Sequence, residues 1–360
     1  MNKTLQVRIK DKHAKILRGM AFDVNQVWNA ANALTAEYAY VPISGFGWVN
    51  TPCSEYDLQK ELVGIRAERQ LNIGAATMQA VISQHGKSRK QFRKNKLRWR
   101  CTSGSKRSLG WVPFKTAGIK YINGQIRFCG HFFGVWDSYG LNQYQLNSGS
   151  FSEDARGRWY FNTTVEVPME AGIGVSSIGI DLGLKTIATC SNGDTLNNAK
   201  IYRGAEVNLA IAQRANKKTR VKAIHAQIKN RRKDTLHKFT TTLAKTHGAI
   251  FVGNVSSNQL AKTSMAKSVL DAGWGMLKTQ LEYKANARSI VFEEVDERNT
   301  TQSCSCCGLI SLNSPKGRTG LGIREWSCAE CGTRHDRDIN AAKNILARGH
   351  SRLAVGIPVL

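Results

Sequence analysis

The spacing of hydrophobic positions changes character twice along the chain, and each change marks a boundary. TLQVRI at 4–9 alternates with a period near two and predicts a strand. Val24, Val27, Trp28, Ala31 and Leu34 then recur at helical spacing, which predicts a helix with one buried face. A second helix is predicted around Leu58–Arg69. A third starts near Ile73, carries Val81 and Ile82, and runs into the cationic segment HGKSRKQFRKNKLRWR. From Leu109 the period falls back towards two. LGWVPF, AGIKYINGQIRF, GHFFGVW and GRWYFNTTVEVP are short, aromatic and β-branched, punctuated by Gly or Asn. Such runs predict antiparallel strands, and Asn123-Gly124 predicts a tight hairpin. Residues 1–170 therefore read as a β-barrel domain with a helical insertion at about 13–105.

The second change comes near Gly172. SIGIDLGL predicts a buried strand, and TIATCSNG and TLNNAKIY are the next strand candidates. A long basic helical region follows, with Arg214, Lys217, Lys218, Arg220, Lys222, Lys229, Arg231, Arg232, Lys233 and Lys238 against one acid, Asp234. AIFVGNVS predicts another buried strand, 265–287 a helix, SIVFEEVDE a fifth strand, and the chain closes with a helix. Three strands, helix, strand, helix, strand, helix is the order of a ribonuclease-H-like α/β domain. It is expected over 172–300 and 333–350, with 351–360 as a tail.

Charge narrows the partners. Lys plus Arg is 52 and Asp plus Glu 26, a net charge of +26. So large an uncompensated positive field points to a polyanion, of which nucleic acid is the commonest. Phe92 and Trp99 sit among the cations of the third helical stretch. Cations grip phosphates and aromatic faces stack on bases, so Lys87, Arg89, Lys90, Arg93, Lys94 and Arg98, with Arg231, Arg232 and Lys233, are the candidate nucleic-acid contacts. No apolar run is long enough to span a membrane, and MNKTLQVRIKDKHAK lacks a signal-peptide core. The expected location is the cytoplasm, as a nucleoid-associated protein of a bacterial or archaeal cell.

Four of the nine cysteines form two C-x-x-C pairs, Cys304/Cys307 and Cys328/Cys331, twenty residues apart. Two such turns can aim four thiolates at one tetrahedral zinc ion. A closed four-thiolate site leaves no open position, so the zinc is read as structural and 301–332 as a zinc ribbon. Cys306 is a bystander, and Cys53, Cys101, Cys129 and Cys190 show no partner pattern.

Three blocks carry a family resemblance: GIDLGLKTIATCSNGD; NRRKDTLHK with IFVGNVS and DAGWGMLKTQLEYKA; and TTQSCSCCG with REWSCAECGTRHDRDINAAKNI. Together they span roughly 172–348, and this part of the chain resembles the TnpB nucleases of insertion sequences. These are relatives of the type V CRISPR effectors and of the Fanzor proteins. The N-terminal half resembles them in layout more than in motif. The resemblance implies a RuvC-like active site in which Asp181 matches the first catalytic aspartate and Asp338 the last, with Asp336 in a structural or capping role. It also implies a glutamate at the end of the fourth strand, where this chain has Val252-Gly253-Asn254-Val255. Either the nuclease is inactive, or the glutamate has moved. The fifth strand runs beside the fourth, about 4.8 Å away, and ends in FEEVDERNTTQSC. Relatives with a relocated acid just before the zinc ribbon look similar. Glu297 is therefore the favoured third carboxylate, with Glu293, Glu294 and Asp296 as rivals.

The resemblance implies an RNA-guided DNA endonuclease that holds two catalytic Mg²⁺ ions on Asp181, Glu297 and Asp338 and one structural Zn²⁺. Its partners are a guide RNA derived from the transposon end and double-stranded target DNA. Sequence choice is delegated to guide pairing, and the protein grips the heteroduplex by its backbone. Two readings stay open beside it: an RNA-guided DNA-binding repressor without cleavage, favoured by Gly253, and a DNA transposase. Oligomeric state is open.

Overall fold

The structure is a computed structural model. It describes the chain except residues 38–40, 44–46, 50–53, 170, 171, 173, 256–259, 261, 264, 318 and 356–360. Cys53 and the end of the tail thus lie outside the described residues. Two compact units divide at Val167/Pro168.

In the first unit, β1 (Asn2–Ile9) leads into α1 (Ala14–Glu37), a small hairpin of β2 (Val41–Ile43) and β3 (Gly47–Val49), and helices α2 (Glu55–Glu61), α3 (Ile65–Glu68) and α4 (Ala75–Phe92). Then come β4 (Trp111–Phe114), β5 (Ile119–Ile122), β6 (Gln125–Phe128), β7 (His131–Trp136), β8 (Leu146–Glu153) and β9 (Trp159–Glu166). Seven strands form one sheet in the order β4-β8-β9-β1-β7-β6-β5. Phe114 on one edge strand lies 6.1 Å, ring to ring, from Phe128 near the other edge, and Phe151 touches both. The sheet therefore curls around an aromatic core completed by Phe133 and Phe161. The end strands β4 and β5 are not paired with each other.

The expected face of α1 is the buried one: Val24, Val27, Trp28 and Ala31 are inside and Leu34 is partly so. Asn123 and Gly124 both take positive φ, 48° and 74°, between the paired strands β5 and β6, as the dipeptide predicts. Two expectations change. The helix expected at 58–69 is two short helices, with Gly64 at the start of the second. Strand β8, LNSGSFSE, was not expected, because Ser, Asn and Gly fill most of its positions; its pairing with β4 and β9 makes it a strand.

In the second unit, β10 (Ser176–Leu182), β11 (Thr186–Cys190) and β12 (Thr195–Asn197) form the antiparallel half of a five-stranded sheet. Helices α5 (Ile201–Arg214) and α6 (Lys218–Thr246) lead to β13 (His247–Gly253), and α7 (Ala266–Ala272) and α8 (Trp274–Arg288) lead to β14 (Val291–Val295). The order is β12-β11-β10-β13-β14, with β10, β13 and β14 mutually parallel. The hairpin β15 (Glu325–Ser327) and β16 (Arg334–Asp336) precedes the last helix, α9 (Arg337–Val355). TLNNAKIY is strand only over Thr195–Asn197; Ile201 and Tyr202 already belong to α5. The helix expected over 265–287 breaks at Gly273, whose φ is 72°. Helix α9 packs along β10. At Gly179 a Cβ would stand 2.1 Å from the Ala342 carbonyl oxygen, so a residue without one permits this approach. That approach brings the first turn of α9 towards the end of β10.

Candidate functional site

The two C-x-x-C segments fold into matching turns. The Gly308 N–H bonds the Cys304 carbonyl (2.8 Å) and the Gly332 N–H bonds the Cys328 carbonyl (2.9 Å). Both glycines follow their pair at positive φ, 79° and 74°. The Cys304, Cys307, Cys328 and Cys331 sulfurs all lie within 4.8 Å of one another, with Cys304–Cys331 at 3.6 Å and Cys307–Cys328 at 3.8 Å. Four thiolates around a tetrahedral zinc, at about 2.3 Å from it, stand roughly 3.8 Å apart. The donor set and its spacing therefore fit zinc. The His335 imidazole sits 3.0 Å from the Cys304 sulfur and packs against Trp326. Thr333 lies 3.3 Å from the Cys331 sulfur and, with its backbone N–H, holds that thiol down to about 6. Cys306 is exposed and outside the cluster. His335 and Thr333 were missed by sequence reasoning. The spacing of the cysteines says nothing about what hydrogen-bonds their sulfurs.

Three carboxylates meet at the other candidate site. Asp181 lies in β10, Glu297 just beyond β14, and Asp338 in the first turn of α9. The Asp181 carboxyl is pushed up to about 7, first by its removal from water and then by the negative charges of Asp338 and Glu297; Arg337 and Arg324 oppose the shift. Glu297 is also raised, chiefly by burial, with the Lys278 charge and the Val255 N–H acting against it. Asp338 is gripped by Arg324 (2.7 Å) and Arg337 (3.0 Å). Asp336 accepts the Asp338 and Ile339 N–H groups at 3.0 and 2.9 Å and so caps α9. Among the described residues the four thiolates form the one metal-ligating group, and the three carboxylates are not part of it.

The bare position at Gly253 lies against Glu297. A Cβ built on Gly253 would lie 2.5 Å from Glu297 Oε2 and 3.3 Å from Glu297 Cβ. The Glu297 side chain thus fills the space that a side chain at 253 would enter. The rivals are engaged elsewhere: Glu293 pairs with Arg352 (2.8 Å), Glu294 with Lys278 (2.6 Å), and Asp296 accepts the Arg298 N–H (3.1 Å). Asn340 and Asn344 of α9 donate to the Thr300 and Ser303 carbonyls, tying the helix that carries Asp338 to the segment entering the cysteine cluster. An oxygen-only set of three carboxylates suits a hard divalent cation such as magnesium.

Comparison with known proteins finds relatives for parts of this chain. Residues 160–264 match the model described as "Probable transposase", of the OrfB_IS605 type, and 274–345 match the "Cas12f1-like, TNB domain". A Streptomyces pristinaespiralis protein is 34% identical over 220 residues, 57% of this chain and 53% of its own. InsQ of Escherichia coli K12 is 30% identical over 230 residues, 56% of each chain. Both carry the description "Putative RNA-guided DNA endonuclease". Over these residues the chain is similar to proteins of the TnpB kind. It spans about half the length of these curated relatives. A Cas12f1 chain, solved as a Cas12f1–sgRNA–target DNA complex, superposes with a TM-score of 0.60 at 15% identity, over 96% of this chain and 98% of that one. The fold is therefore of the Cas12f/TnpB kind.

The candidate nucleic-acid contacts fall into two groups. Lys87, Lys90, Arg93, Lys94 and Arg98 are exposed, on or just beyond α4, and Arg89 is half-buried beside Asn95. The segment after α4 is irregular but held. Asn25, Asn29 and Asn32, one ridge of α1, bond the backbone of Leu97 and Arg100 and the Arg100 guanidinium at 2.6–3.0 Å. Arg100 is held over the Trp28 and Trp111 rings, while Lys96, Arg98 and Trp99 face outward. That asparagine ridge went unread because it looks like ordinary polar helix surface. On α6, Arg231 and Lys233 are exposed, but Arg232 turns inward to a 2.9 Å ion pair with the buried Asp271. Among the described residues no helix is long and apolar enough to cross a membrane.

Proposed function

We propose that this chain is an RNA-guided DNA endonuclease, with a ribonuclease-H-like (RuvC) unit over 172–300 and 333–350, a zinc ribbon over 301–332 and a wedge-like β-barrel before them. The observation that carries the reading is Glu297. Its carboxylate fills the space over Gly253, and its charge bears on Asp181 together with that of Asp338. Asp181, Glu297 and Asp338 would hold two Mg²⁺ ions. The chemistry supplied by bound magnesium is Lewis acidity towards an attacking water and a departing 3′ oxygen. The strand order of the second unit supports the assignment, because it sets Asp181 on the central strand, next to the end of β13 where Glu297 folds back.

The protein's own groups divide the remaining work. Asp181, half-buried among like charges, has its ionisation disfavoured, and a bound dication would favour the charged form. Arg324 and Arg337 hold the Asp338 carboxylate in place. The cysteine ribbon keeps one structural zinc. Lys87, Arg89, Lys90, Arg93, Lys94 and Arg98, with Arg231 and Lys233, grip phosphates of a transposon-end guide RNA and its heteroduplex with target DNA. The location proposed is the cytosol, at the nucleoid. The test is plasmid cleavage by the purified protein, with and without its co-expressed guide RNA and Mg²⁺. RNA- and Mg²⁺-dependent cleavage that Asp181→Asn abolishes supports the reading. RNA-dependent target binding without cleavage by the wild type would replace it with the repressor.

A further inference from the structure

The relocated glutamate needs a support that a residue built into β13 would not. Glu297 lies beyond the last residue of β14, Val295, in a turn rather than in a paired strand. A side chain there is not oriented by sheet hydrogen bonds. Its orientation must come from the segment it leans on.

That segment is Gly253-Asn254-Val255. Gly253 leaves the space that the carboxylate enters. The Asn254 N–H bonds the Val295 carbonyl at 2.9 Å, and the Asn254 side-chain oxygen accepts the Glu297 N–H at 3.4 Å. Burial raises the Glu297 carboxyl, and the Lys278 charge and then the Val255 N–H oppose that rise. A single peptide N–H orients a carboxylate only if the peptide is itself fixed, and Val255 has left the strand. Its carbonyl is held by one charged donor: Lys278 Nζ, from α8, at 3.2 Å. Lys278 also pairs with Glu294 of β14 at 2.6 Å, and its side chain is 12% exposed. One ammonium thus ties the end of β13 to β14, on either side of the turn that presents Glu297. None of this contact pattern is needed merely to pack α8, whose core contacts are Trp274, Leu277 and Leu281.

We propose that Lys278 is a positioning residue for the Glu297 carboxylate, acting through the Val255 peptide. The proposal rests on Glu297 being the third metal-binding carboxylate. Lys278 does not touch the metal or the substrate; it fixes the direction in which the glutamate points. Removal of such an outer hydrogen-bond partner typically weakens metal affinity or activity by roughly 10–100-fold.

The experiment compares Lys278→Met and Lys278→Arg with the wild type in the full chain bound to its guide RNA. Three quantities are read: the Mg²⁺ concentration giving half-maximal cleavage, the rise in melting temperature on adding Mg²⁺, and target binding. Lys278→Met is expected to raise the half-maximal Mg²⁺ concentration about tenfold or more and to shrink the Mg²⁺-induced melting shift, with target binding kept. Lys278→Arg, which can reach both partners, is expected to restore most of the effect. In a Glu297→Gln background, Lys278→Met should add nothing to the loss of Mg²⁺ response. A Mg²⁺ response unchanged in Lys278→Met, or the same additional loss in the Glu297→Gln background, overturns the proposal and leaves Lys278 as a structural ion pair. Should the methionine variant fold poorly, Lys278→Gln, uncharged and too short to span both partners, gives the same readouts. The melting shift needs no catalysis. A wild type that does not cleave but is stabilised by Mg²⁺ through Glu297 would therefore sink the nuclease reading and leave this one standing.

Discussion

The cysteine cluster and the carboxylate cluster, each proposed to hold a cation, are built in opposite ways. The four cysteines come from two copies of one local turn, each closed by its own backbone hydrogen bond, and they already stand at tetrahedral spacing. The three carboxylates come from a strand, a turn and a helix far apart in sequence, and burial, followed by the charges of Asp338 and Glu297, raises Asp181 to about 7. A local motif can preorganise a site at little conformational cost. A site assembled across a sheet depends on every element that fixes its members: the close approach of α9 at Gly179, the bare position at Gly253, and the arginines on Asp338. The first kind of site is expected to serve structure, and the second a response to metal.

The contrast can be broken most forcefully at the cysteines. Cys328→Ser should remove the zinc altogether, from one ion per chain to none by atomic absorption, and open residues 304–331 to limited proteolysis. Structural zinc contributes on the order of 10 kcal/mol to such modules. Full zinc retained by that variant would contradict a four-thiolate site. Gly253→Ala should act on the other site alone. Its methyl carbon would stand 2.5 Å from Glu297 Oε2, so the carboxylate must move. The half-maximal Mg²⁺ concentration is expected to rise about tenfold with zinc content unchanged. A variant as responsive to Mg²⁺ as the wild type would show that Glu297 does not use that space.

The smallest effect is a dependence of stability on pH. Asp181 has its carboxyl raised from 3.8 to about 7. Between those values the folded chain binds more protons at this group than the unfolded chain does, so its contribution to stability falls as pH rises through that window. Glu297, also raised, acts in the same direction. In magnesium-free buffer the melting temperature should therefore decline from about pH 5 to pH 7.5 more steeply for the wild type than for Asp181→Asn, with added Mg²⁺ removing much of the difference. Equal slopes in the two proteins would remove Asp181 as the source.

What could be read in the sequence was what is local. The cysteine spacing, the Asn123-Gly124 turn, the buried face of α1 and the alternating strands each carry their signal within a few residues. Strand β8 did not, because its Ser and Gly positions are made strand only by the neighbours they pair with. Arg232 looked like its neighbours Arg231 and Lys233 until Asp271, 39 residues away, claimed it. Glu297 could be suspected from the empty position at Gly253 together with the adjacency of two strands. Its surroundings could not be read. Asn254, Val255 and Lys278 have no chemistry in common, and only the packing of α8 against β14 brings them together.

The most direct test is plasmid cleavage with guide RNA and Mg²⁺ by the wild type, by Glu297→Gln, and by the double variant Gly253→Glu with Glu297→Ala. The account predicts cleavage by the wild type and a loss of roughly a thousandfold or more in Glu297→Gln, several kcal/mol of transition-state stabilisation, with target binding kept. It also predicts partial recovery when the carboxylate is returned to position 253 and alanine at 297 vacates the space it needs. Cleavage by Glu297→Gln at the wild-type rate would contradict it.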